Sequence, residues 1–115
     1  MTVTEISVGL ENGRYAALSA RGHTGFSERG SDIVCAAVSA LVQALLYGFR
    51  EVMKEESFES QIDEDNTSIT LLWSKCSHEA ASVLAETVIG SLKEIARAYP
   101  GHVSILEVQL NEMDF

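Results

Sequence analysis

The chain has 115 residues, the length of one ordinary domain, and its 46% hydrophobic and 22% charged residues suit a packed core rather than a disordered segment. Seventeen acidic against eight basic residues give a formal net charge of −9, a surface that repels phosphate backbones and argues against direct RNA or DNA binding. Two cysteines without CxxC spacing argue against a disulfide scaffold, and no apolar run is read as a membrane span. Because Met1-Thr2-Val3-Thr4-Glu5 lacks the regions of a secretory signal, a cytoplasmic location is expected.

In chain order, residues 3 to 10 alternate through Ile6, Val8 and Leu10 as a half-buried strand does, and Asn12-Gly13 then signals a tight hairpin. Tyr15 to Ala20 is the returning strand, which delivers Arg21, Gly22 and His23 at its end. A loop bounded by Gly25 and Gly30 leads into a long helix, expected from about Asp32 to about Lys54, with Val34, Val38, Leu41, Leu45, Phe49 and Val52 on one buried face. Ala37, Ala40, Ala44 and Tyr47 make the opposite face apolar too. That helix is therefore expected to be covered on two sides, by its own sheet and by either the second helix or a second copy of the chain. Phe58 to Asp63 and Ser68 to Trp73 read as a second hairpin around the acidic turn Glu64-Asp65-Asn66-Thr67. Ser77 is the expected cap of a second helix carrying Leu84, Val88, Leu92, Ile95 and Tyr99, which Pro100-Gly101 ends. Val103 to Val108 forms a last strand before a short acidic tail. The order β-β-α-β-β-α-β predicts a single α+β domain over residues 1–115, a mixed sheet covered by two helices on one face.

The chemistry concentrates between Arg21 and Ser39. Gly30, Ser31 and Asp32 supply a stop, two possible N-caps and an acidic start, which puts Cys35 in the expected first turn of the helix. Unpaired backbone N–H groups and the positive end of the helix dipole there suit a nucleophilic sulfur and an oxyanion. The loop is long enough to fold His23 back over Cys35 as a base. A cysteine on an apolar helix is more commonly a small core residue, but Gly22, Gly25 and Gly30 around the histidine supply hinges that a plain connection does not need. Asp32 is an N-terminal helix residue that either only caps or also orients His23, and Ser39 lies one turn beyond Cys35 on the same face. Cys76-x-His78 and the separate His102 lack the convergent ligands of a metal site, so neither metal nor cofactor is expected.

Gly22-His23, a glycine-containing loop, and then Gly30-Ser31-Asp32-Ile33-Val34-Cys35-Ala36-Ala37-Val38-Ser39 closely resemble the signature of the ribosomal-processing cysteine protease (Prp) family. Thr24 departs from the alanine common there without removing a reacting group. The resemblance implies a Cys35–His23 dyad with Asp32 and Ser39 in support, and a homodimer. It also implies a substrate, the precursor of the basic large-subunit ribosomal protein numbered twenty-seven, from which a short N-terminal extension is removed. Two rival readings stand beside it. One is a non-enzymatic ribosome-assembly factor that binds a basic ribosomal protein through its acidic surface, and the other is a thiol hydrolase acting on a small molecule.

Overall fold

The computed structural model describes residues 4–22 and 29–113. The strands are β1 (Thr4–Glu11), β2 (Arg14–Arg21), β3 (Glu59–Asp63), β4 (Ser68–Leu72) and β5 (Val103–Gln109), and the helices are α1 (Arg29–Tyr47) and α2 (Glu79–Ala98). The sheet runs β3-β4-β2-β1-β5, antiparallel throughout except for the β1–β5 pair, which is parallel. The expected α+β order and mixed sheet are therefore observed.

Asn12 and Gly13 both take positive φ, 55° and 78°, which is the backbone a type I′ turn requires and the reason this dipeptide closes the first hairpin. Thr4, Ile6 and Val8 of β1, Leu18 and Ala20 of β2, and Leu71 of β4 point to one face and are buried. Both helices pack there, forming one core with Val34, Val38, Val42, Leu45 and Phe49 of the first helical segment and Ala81, Ala85, Val88, Ile89 and Leu92 of α2. Phe49 is its anchor. Its ring stacks on Phe58 at 5.0 Å and on Trp73 at 5.1 Å, and it is completely buried. The indole N–H of Trp73 donates to the Tyr15 carbonyl at 3.0 Å, so the stack is tied to the start of β2.

Several boundaries differ from expectation, each for a physical reason. The first helix begins at Arg29 rather than near Asp32, and Gly30 lies inside it rather than ahead of it. At its far end the helix widens into a π-helical turn, Gly48–Val52, where the Met53 N–H reaches back five residues to the Gly48 carbonyl. The wider turn slows the angular advance of the side chains. Met53 packs against the core and Val52 turns out to solvent, 70% exposed, although α-helical spacing put Val52 on the buried face. Glycine at position 48 also lets Leu84 of α2 approach closely, since a Cβ there would meet a Leu84 methyl at 2.5 Å. In α2 the N-cap is His78 without a side-chain bond, not Ser77. Its buried stripe runs through Ala81, Ala85, Val88, Ile89 and Leu92, leaving Leu84 and Ile95 at the edge and Tyr99 45% exposed. Lys93 of α2 reaches Glu107 of β5 and the Tyr15 hydroxyl, which raises the ammonium pKa and lowers that of the carboxyl; both groups are water-screened, so the contact guides docking more than it stabilises.

Contrary to expectation, the stretch Ile33–Val52 is long and apolar enough by length and composition to cross a membrane. Its inner face is nevertheless packed into the core of this domain. Because Phe49 joins the end of the first helical segment to the segments before β3 and after β4, Phe49→Ala should lower unfolding free energy by about 3–5 kcal/mol in urea denaturation. A loss below about 1 kcal/mol would show that the stack is not the anchor.

Candidate active site

Along α1 the residues Val34, Val38 and Val42 face the sheet, so their neighbours Cys35, Ser39 and Gln43 form a polar stripe at four-residue spacing on the helix flank. All three line one groove of about 410 Å³, closed on the other side by Thr4, Ala20, Arg21, Thr67 and Ile69. The groove sits where β1 begins, β2 ends and β4 begins. Cys35 is a free, half-buried thiol, and its Sγ lies 3.4 Å from Oγ1 of Thr4. Ser39 and Gln43 are exposed along the floor.

Cys35 stands in the second turn of a helix that starts at Arg29, not in the expected first turn. Its own N–H therefore belongs to the intrahelical ladder, and the free N–H groups of the helix start lie about a turn earlier. Gly22 follows β2 with φ 99°, a left-handed backbone that glycine adopts without strain. His23 and Gly25 lie outside the described residues, as does the side chain of Asp32.

Gln43, Thr4 and Thr67 line the groove without being singled out in the sequence. Thr4 is buried, 7% exposed, in phase with Ile6 and Val8; a polar side chain at an apolar strand position was the available signal. Thr67 holds φ 47°, a region that β-branched residues seldom adopt, so the groove wall carries local strain. Nothing in the turn's composition announces this.

Cys76 is at the other end of the sheet, in a polar recess with Asn12, Arg14, Trp73 and Ser82. Burial pushes its thiol pKa up, and the nearby Glu55 carboxylate adds to the shift. His78 is exposed, and His102 packs edge-on against Tyr99. Among the described residues no three His, Cys, Asp or Glu side chains converge as metal ligands would.

The free thiol of Cys35, on the flank of a core helix, thus opens into a groove at one end of the sheet. The chain belongs to the cysteine protease Prp family, whose model matches residues 1–104, and it is accordingly a cysteine-type peptidase. The ribosomal processing cysteine protease Prp of Mycoplasma pneumoniae is 32% identical over 96 residues, covering 83% of this chain and 90% of the relative. That of Mycoplasma genitalium is 33% identical over 90 residues, covering 78% and 86%. A crystal structure of a Streptococcus mutans protein superposes with a TM-score of 0.84 at 26% identity, covering 94% of this chain and 96% of that one. The Staphylococcus aureus ribosomal processing protease Prp, solved with a substrate peptide, shares the fold with a TM-score of 0.78 at 20% identity, covering 94% and 100%.

The two thiols should be separable by chemistry. A raised pKa leaves Cys76 mostly protonated and slow to react at neutral pH, so its alkylation by iodoacetamide should need more alkaline conditions than an ordinary cysteine. Cys76→Ala should keep peptidase activity within about twofold, as expected for a change away from the groove. Loss of activity in a folded Cys76→Ala protein would contradict this separation.

Proposed function

We propose that this chain is an endopeptidase that removes the N-terminal extension from the large-subunit ribosomal protein numbered twenty-seven, with Cys35 as nucleophile and His23 as base. The observation that carries the reading is the half-buried Cys35 sulfur at the rim of a groove of about 410 Å³. His23 is one peptide bond beyond Gly22, and Arg21, next before that, lines the same groove. His23 takes the thiol proton as the sulfur bonds to the scissile carbonyl carbon, and the proton passes to the leaving amine as the C–N bond breaks. Water then hydrolyses the thioester and restores the thiol. Ser39 borders the groove floor and is assigned a supporting place, as is Asp32, which in one version orients His23.

The basic substrate is supported by charge. The β3–β4 turn places Asp63, Glu64 and Asp65 just before the groove residue Thr67, in a chain whose net charge is −9. The same charge speaks against direct contact with nucleic acid. A homodimer is supported by the exposed outer stripe of α1, Ile33, Ala36, Ala40, Ala44 and Tyr47, and a cytoplasmic location by two free cysteines.

Incubating the protein with the precursor and, separately, with the mature ribosomal protein tests the reading. The precursor alone should be shortened at its N-terminus. Cys35→Ala and His23→Ala should each slow cleavage on the order of ten-thousand-fold while shifting stability by about 1 kcal/mol or less. A Cys35→Ala protein that cleaves at the normal rate ends the proposal.

A further inference from the structure

Thr4 begins β1 on the core face, at a strand position that Ile6 and Val8 continue with apolar side chains. Valine has nearly the shape of threonine and no hydroxyl to strip of water, so packing alone favours valine there. The buried hydroxyl needs a partner. Among the described residues the one it meets is the Cys35 Sγ, 3.4 Å away and 31 positions along the chain. The strand start is itself fixed, because the Thr4 N–H donates to the His102 carbonyl at 3.0 Å and Thr4 pairs with Val103 of β5. Both side chains line the groove.

A thiol is able to donate to or accept from a threonine hydroxyl, but a thiolate only accepts. In the reactive state Thr4 must therefore be the donor. A charge-assisted bond to the anion favours the thiolate and holds Sγ in one rotamer toward the groove. We infer that Thr4 is a positioning residue for Cys35, its buried hydroxyl orienting the sulfur and stabilising its anionic form. This rests on the reading of Cys35 as the nucleophile, but the coupling itself is measurable without any peptidase assay.

The test compares Thr4→Val, which keeps shape and loses the hydroxyl, with Thr4→Ser, which keeps the hydroxyl, in the full chain. Alkylation by iodoacetamide is followed across pH, with peptide mapping to read Cys35 apart from Cys76. Thr4→Val should shift the Cys35 profile to higher pH and slow alkylation near neutrality roughly tenfold, the scale of one hydrogen bond to a charged group. Thr4→Ser should stay within about twofold of the parent, since the donor remains. Thr4→Val should keep or raise the melting temperature and lower kcat for precursor cleavage with little change in KM. A purely structural role predicts the reverse, a lower melting temperature with an unmoved pH profile. Should Thr4→Val not fold, Thr4→Ala carries the same expectation. An unshifted Cys35 profile in a folded Thr4→Val protein, or a Thr4→Ser protein impaired as much as Thr4→Val, overturns the inference and leaves Cys35 as nucleophile intact. Precursor cleavage that survives Cys35→Ala overturns that underlying reading instead.

Discussion

The placement of Cys35 depends on how the first helical segment is pressed against the sheet. Phe49 is clamped between Phe58 and Trp73 at one end, and Val34, Val38 and Val42 lie along the sheet at the other. With that face committed to the core, rotation about the helix axis is fixed, because turning it would expose the valines and withdraw Phe49 from its stack. Residues displaced by about 100° on the helix must then sit on its flank. Cys35, Ser39 and Gln43 occupy that flank, and the sheet end supplies the facing wall. The sulfur is thus placed in part by the Phe49 stack, about four helical turns away.

This arrangement gives the two cysteines opposite fates. Cys35 opens into a groove beside a hydroxyl, whereas Cys76 sits at the far end of the sheet, where burial and Glu55 hold it protonated. The sheet keeps them apart, one thiol opening into the groove and the other lying in the polar recess. The apolar length of the Ile33–Val52 stretch follows from the same requirement. One face builds the core, while the outer face retains Ile33, Ala36, Ala40, Ala44 and Tyr47 exposed.

Much of this was legible where a local rule decides the outcome. Asn12-Gly13 closes its hairpin because both residues must take positive φ, and few other dipeptides do so at so little cost. The valine spacing gave the inner face of α1, and the motif around Gly22-His23 and Cys35 pointed to the groove residues Cys35 and Ser39. What remained hidden depends on contacts between distant segments. The π-turn at Gly48 arises where Leu84 must fit against α1, and no rule of helical spacing contains that contact. Thr4 stands out only as a polar residue in an apolar phase, and its partner is known once β1 and α1 are brought together; the parallel pairing of β5 with β1 is likewise set by the whole sheet. The helix start was misplaced because Gly30-Ser31-Asp32 looks like a stop and cap, yet the helix already runs through them.

The proposed nucleophile, Cys35, must itself bond to the substrate carbonyl. Acid quenching of the protein during turnover of a peptide spanning the precursor's cleavage site, followed by intact-mass and peptide-mapping analysis, tests it most directly. A thioester that joins the N-terminal fragment to the Cys35 sulfur and disappears as product accumulates is the expected result. Steady cleavage with no adduct on Cys35, or an adduct carried by Cys76, would contradict it.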